Sequence, residues 1–200
     1  MLLHLFEKAI RLRLSALQEV DRAIALDLSR THLDRVDLAG LPLQGADFAF
    51  AGLRRANFKG AGLRGLKGIE VQLEKARLSR ADLEEARMQK AHCEAAQFHQ
   101  TRLVSARFED AVLTGAQFYQ AQMQGIHLNR AHLEGAMFAQ ANVSDAIFTG
   151  AVFDDRALQS LAKAENWCNA QFDDGVIERL EAVAGRTCPP AKRRRAHSPA

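Results

Sequence analysis

From Leu28 to Phe153 every fifth residue is large and apolar, with Gly68 as the single exception. The positions run through Leu38, Phe58, Leu78, Phe98, Phe118 and Phe138 on one twenty-residue phase and through Leu28, Phe48, Gly68, Met88, Phe108, Leu128 and Phe148 on another. Two residues before each stands a small or aliphatic residue, Ala in 18 of 26 units, as at Ala46, Ala76, Ala111 and Ala151. A period of five matches neither the 3.6 of a helix nor the 2.0 of a strand. It describes a solenoid, in which the repeat itself sets the architecture.

The repeat predicts four segments. Residues 1–25 form an N-terminal capping helix and residues 26–155 the solenoid. Residues 156–185 hold a helix, a partial coil and a second helix, and residues 186–200 form a basic disordered tail. The net charge of +3 is unevenly spread. The solenoid is near neutral, with 15 Lys/Arg against 16 Asp/Glu, and the excess comes largely from Arg186 and the run Lys192-Arg193-Arg194-Arg195. Three cysteines without metal-type spacing suit a reducing, cytoplasmic setting, with Cys93 in a central apolar slot and Cys168 and Cys188 unpaired. The N-terminal stretch lacks the basic flank and unbroken apolar run of a signal peptide or membrane span.

The units Ala46-Asp47-Phe48, Ala56-Asn57-Phe58, Ala81-Asp82-Leu83 and Ala141-Asn142-Val143 resemble those of the pentapeptide-repeat proteins. The resemblance covers residues 26–155, with a weaker return over residues 165–174. It implies an all-β solenoid, a right-handed quadrilateral parallel β-helix with four pentapeptides per coil, here between helical caps at both ends. The family's Asp/Asn position is degenerate in this chain, holding Arg77, Arg87, His92, Gln97 and Arg102 among others. In the family that position faces outward, so the departure alters the surface rather than the fold. Sorting the central residues by position modulo twenty gives four columns. Phe gathers on two opposite columns, and the two between are aliphatic except at Phe153. At the inter-strand spacing, about seven coils make a rod of roughly 30–35 Å.

Leu3, Phe6, Ile10, Leu14, Leu17, Val20 and Ile24 recur at helical spacing, widened by Leu2, Leu5 and Leu12, and suit a helix laid over the first coil. At the other end, Asp154-Asp155 and Asp173-Asp174 each precede a helical pattern and can accept first-turn amides. The second helix should end near Gly185. By resemblance to quinolone-resistance members that dimerise through C-terminal elements, Val176, Ile177, Leu180 and Val183 are candidates for a homodimer contact, with capping of the rod as the alternative. Gly68 leaves its slot empty, and a local bulge is expected there, with Leu66 and Ile69 turned inward.

The outward positions offer no catalytic set. His92 and His132 share a column but lie two coils apart, and Glu74, Glu94, Glu134 and Asp154 lack a nucleophile or base beside them. No cofactor or metal site is expected, and the chain reads as a non-enzyme. One wall stacks Lys67, Arg87, Arg107 and His127. Another is nearly uncharged in its later coils: Gln97, His99, Gln100, Gln117, Tyr119, Gln120, Met137 and Gln140 form the candidate partner surface, with Gln100, Gln120 and Gln140 spaced for an amide ladder. The expected function is a non-catalytic scaffold presenting flat walls to a protein partner. The alternatives are a DNA mimic acting on a type II topoisomerase such as gyrase, nucleic-acid contact through residues 192–195, and an effector or secretion-associated role. A mimic needs a sustained anionic surface, and residues 51–107 are visibly basic, with Arg54, Arg55, Lys59, Arg64, Lys67, Lys75, Arg77, Arg80, Arg87 and Lys90.

Overall fold

A period of five requires the chain to change direction once per unit. The computed structural model describes residues 4, 5, 7–10, 12, 26–189, 194 and 195. In every unit from Arg30 to Gly150 the fifth residue has a positive φ, between 54° and 72°. This left-handed residue makes the corner. Glycine holds it at only some corners, such as Gly60 and Gly150, whereas Arg80, Gln100 and Gln120 hold it elsewhere.

Four corners close one coil. Parallel bridges join residues twenty apart, from Asp27↔Asp47 through Gln97↔Gln117 to His132↔Val152. The observed fold is therefore a four-sided solenoid of twenty-residue coils. Within a unit the central amide donates one coil onward, as Phe118 N–H does to the Met137 carbonyl at 2.7 Å. The amide of the preceding residue donates one coil back, as Gln117 does to Ala96 at 2.9 Å, and the small residue closes the turn, as Ala121 does to Phe118 at 2.9 Å. The amide one residue past the centre is outside this ladder. Where the motif keeps Asp or Asn, that side chain takes it: Asp47 accepts from Ala49 at 2.9 Å, Asp82 from Glu84 and Asn142 from Ser144, each at 3.1 Å. The Asp/Asn preference is thus a local capping device.

Inside, the central residues stack. Phe98, Phe118 and Phe138 form one column with ring centroids 5.0 and 5.3 Å apart and planes within 9° of parallel. Phe48 meets Phe58, and Phe98 meets Phe108, edge-to-face across the axis at 5.8 and 6.0 Å. Opposite Phe walls therefore interlock, a geometry aromatic quadrupoles favour. Cys93 is fully buried in an aliphatic column, and desolvation pushes its thiol far up. Gly68 does not bulge. Its amide donates to the Arg87 carbonyl at 2.7 Å in unbroken register, and Ile69 stays 40% exposed. The Met88 side chain and the buried Leu66 and Val71 occupy the space, so the expected bulge is corrected: the neighbouring coil fills the gap.

The ends leave one coil edge open each, and side chains occupy it. Residues 4, 5, 7–10 and 12 are helical, with Ile10 buried against the core and Leu5 and Leu12 exposed. Glu7 accepts from the Asp37 amide at 2.8 Å, the amide that would otherwise bond a preceding coil. The other residues of the apolar stripe, Leu2, Leu3, Phe6, Leu14, Leu17, Val20 and Ile24, lie outside the described residues. Helix α1 (Asp155–Leu161) leaves the solenoid with Asp154 accepting from Ala157 at 2.8 Å and also from the edge amide of Gly135 at 2.9 Å. Ser160 Oγ accepts from the Phe138 amide at 2.7 Å. The chain then re-enters the ladder at Asn142↔Glu165 and Ile147↔Gln171, and Phe172 stacks on Phe148 at 5.0 Å. Helix α2 (Asp174–Ala184) ends at left-handed Gly185, as expected. Asp173 stands at its N-cap, but its side chain accepts from the edge amide of Gly150 at 2.8 Å rather than from a first-turn amide. Leu180 is buried, Val176 and Ile177 pack against the same core, and Val183 is exposed.

Two expectations at this end are corrected. Cys168 and Cys188 are joined in a disulfide, with Cα atoms 5.5 Å apart. The return of residues 165–172 to the ladder brings Cys168 to the segment after α2, a juxtaposition that sequence spacing does not reveal. The argument for a reducing compartment from unpaired cysteines therefore falls. Within the segment expected to be disordered, strand β2 (Arg194–Arg195) pairs in parallel with strand β1 (Gln171–Phe172), adding a further rung beyond the last coil. Lys192 and Arg193 lie outside the described residues. No described helix is long and apolar enough to cross a membrane.

Candidate functional site

Outward side chains on a regular rod are placed by column and coil. The cationic column Lys67, Arg87, Arg107 and His127 is assembled by the bridges as the sequence spacing requires. Part of it is neutralised locally: Glu109 lies 2.8 Å from the Arg107 guanidinium and 3.8 Å from His127 Nδ1. At the adjoining corner, Arg130 reaches Asp110 through two bonds of 2.7 Å, which hold that carboxyl below the usual carboxylate range. Lys90 lies 3.9 Å from Glu70. On another wall, His92 and His132 flank Val112 and face their own acids, Glu94 at 3.9 Å and Glu134 at 3.6 Å. Among the described residues no three metal-ligating side chains gather.

The charge-poor wall differs. Gln100 donates to Gln120 at 2.9 Å and Gln120 to Gln140 at 3.0 Å, so the amide ladder exists. Arg80 extends it, its Nε donating to the oxygen of Gln100 at 2.9 Å. His99 Nε2 lies 2.7 Å from the Gln117 oxygen and its ring 6.5 Å from that of Tyr119. Tyr119 and Met137 are each 40% exposed. All eight candidate residues lie on this wall, with the Gln ladder at its edge.

Sequence reading missed the other half of the wall. The column Asn57, Arg77, Gln97, Gln117, Met137 puts Arg77 directly before the candidates. A shallow hollow of about 280 Å³ opens there, lined by Lys59, Arg77, Ser79, Arg80, Gln97, His99 and Gln100. Ser79, one coil from both Lys59 and His99, leaves room between two longer side chains. From Asn57 to Gln140 the outward slots of this wall hold no carboxylate. The signal was present in the modulo-twenty sorting, which places Lys59, Arg77 and Arg80 in the same columns as the glutamines.

The matched repeat is recognisable in sequence. A family model described as pentapeptide repeats matches in eight copies over residues 27–65, 69–103, 91–130 and 116–155. The chain belongs to the pentapeptide-repeat family. Among curated proteins, none matches it in sequence. Solved pentapeptide-repeat structures similar to it include HetL, involved in heterocyst differentiation regulation, from the cyanobacterium Nostoc sp. strain PCC 7120. That likeness has 25% identity, covers 76% of this chain and 74% of the other, and has a TM-score of 0.36. A pentapeptide-repeat protein of the Arabidopsis thaliana thylakoid lumen is 27% identical over 68% of this chain and 77% of its own, with a TM-score of 0.38. QnrB1, a plasmid-mediated fluoroquinolone resistance protein, is 14% identical, covering 80% and 98%, with a TM-score of 0.37. In this pentapeptide-repeat protein, the motif's outward Asp/Asn is replaced along the candidate wall by Arg77, Gln97, Gln117 and Met137. The amides of Ser79, His99, Tyr119 and Ala139, which an Asp or Asn there would accept, find no acceptor among the described residues.

Proposed function

We propose that this protein is a non-catalytic scaffold that docks a protein partner on the wall running from Gln97 to Gln140. The observation that carries this reading is the absence of charge on that wall over three coils, around exposed Tyr119 and Met137. Depletion of charge around aromatic and Met side chains is the compositional mark of an interface. The Gln ladder holds the adjoining surface flat, which lowers the ordering cost of association. Right-handed winding, preferred for crossovers between parallel strands, and capping of both ends by helices belong to the same reading. Capping fits the burial of Leu180 within its own chain.

A DNA mimic would present acid where this wall presents Arg77 and Arg80, so the interaction reading fits better. Its test is affinity capture from the source organism with wild type and the Tyr119→Ala/Met137→Ala variant. A protein retained by wild type and lost by the variant supports the wall as the interface. Equal retention by both removes it.

A further inference from the structure

Resting on that docking reading, we propose that the hollow between Lys59 and His99 binds the acidic end of an extended segment of the partner. The segment would continue across Tyr119 and Met137, beside the Gln ladder. Charge complementarity favours this occupant. Lys59 and Arg77 are exposed, and neither has an ion-pair partner among the described residues. On the flanking walls, Glu74 is paired with Arg54 at 3.1 Å, Glu84 with Arg102 at 2.6 Å and Glu85 with Arg64 at 3.1 Å. Arg80 is oriented by its bond to Gln100, which pre-positions a planar guanidinium suited to a carboxylate.

The amides of Ser79 and His99, left without acceptors where Arg77 and Gln97 replace Asp/Asn, point to the same ligand chemistry. A carboxylate in the hollow would supply the acceptor that the motif's own side chain no longer provides. A nucleic acid fits less well. Its phosphates continue along the chain, whereas no cation follows Arg80 on this wall through Gln140, roughly 14 Å at a coil spacing of ~4.8 Å. A segment with acid at one end and uncharged residues after it matches the wall's charge along its length.

The test uses the full chain, uniformly nitrogen-15 labelled, and a synthetic peptide of about eight residues with three N-terminal Glu followed by Leu, Ala and Gln. Its counterpart replaces each Glu by Gln. Expected are amide shifts at Lys59, Arg77, Ser79 and His99 with the Glu peptide, and at least tenfold weaker binding by Lys59→Glu/Arg77→Glu. Lys90→Glu, on the opposite wall, should bind within twofold of wild type. Both hollow positions are solvent-facing, and Lys59→Gln/Arg77→Gln provides a milder second variant. Equal binding of the two peptides, or equal loss in the Lys90 variant, overturns the proposal. Displacement of the peptide by a thymidine oligonucleotide that binds these residues more tightly also overturns it and assigns the hollow to nucleic acid. If partner capture is lost with Tyr119→Ala/Met137→Ala but kept with Lys59→Glu/Arg77→Glu, the interaction wall stands and the hollow falls.

Discussion

Met88 places its sulfur 2.7 Å from where a Cβ on Gly68 would stand. Gly68 has no positive φ, so backbone conformation does not require glycine there. Its neighbour in the column does. Gly68→Leu, which restores the repeat's own residue, should destabilise by about 1–3 kcal/mol through overpacking. Met88→Ala alone should also destabilise, by leaving a cavity. Together the two should cost less than their sum, a coupling that a double-mutant cycle in denaturant melts measures directly. Strict additivity would mean that Met88 does not fill the Gly68 slot.

Phe118 sits between Phe98 and Phe138 with both rings nearly parallel to it, and is fully buried. Phe118→Ala should cost ~3–5 kcal/mol of unfolding free energy. A melting shift of only a degree or two would show that the stack does not hold the central coils together.

The corner at Ala95 has φ 55°. A Cβ is disfavoured in that left-handed region by sterics, while glycine costs extra backbone entropy in the unfolded chain. The first effect is the larger, so Ala95→Gly should stabilise by about 0.5–1 kcal/mol, read as a raised denaturation midpoint at unchanged slope. A lowered midpoint would show that the corner is not strained by Ala.

These corners also show what the sequence could and could not reveal. The five-residue spacing of Phe98, Leu103, Phe108 and their equivalents is set by the left-handed corner, so the coil and its opposed Phe columns were legible. So was the ladder of Gln100, Gln120 and Gln140, because equal columns bring equal side chains together. Gly68 was misread because the answer lay twenty residues away, in the flexible Met88. The joining of Cys168 to Cys188 was invisible because it depends on α1 and α2 rather than on the period. The basic half of the wall, Lys59, Arg77 and Arg80, was legible in principle. Along the chain these residues merge into the basic stretch of residues 51–107, and only down a column do they gather on one wall.

Asp154 accepts from the amides of Gly135 and Ala157, and these bonds hold its carboxyl below its ordinary value of 3.8. A depressed folded-state value means the ionised form stabilises the fold. That contribution is complete above the unfolded chain's titration and is lost as pH falls through the lower folded value. The stability gap between wild type and Asp154→Asn should therefore be widest near neutral pH and narrow below about pH 4. Denaturation midpoints at a series of pH values test this. A constant gap across the range would show that Asp154 acts as a neutral acceptor.

The disulfide ties Cys168, within the short helical turn Trp167–Asn169, to Cys188 beyond α2, closing a loop with a sequence separation of 20. Arg186 lies over the Trp167 ring at 5.4 Å within the same loop, so the cross-link and this contact hold one segment against the last coil. Such a closure contributes on the order of 3 kcal/mol by restricting the unfolded chain. Reductant should therefore loosen α2 and the pairing of β2 with β1, seen as faster amide exchange there, while the central Phe-lined coils stay protected. The Cys168→Ser/Cys188→Ser variant should show that faster exchange without reductant and no further change with it. Thiol titration in denaturant should count one free thiol, Cys93, before reduction and all three after it. Three free thiols in the unreduced chain would show the bond does not form.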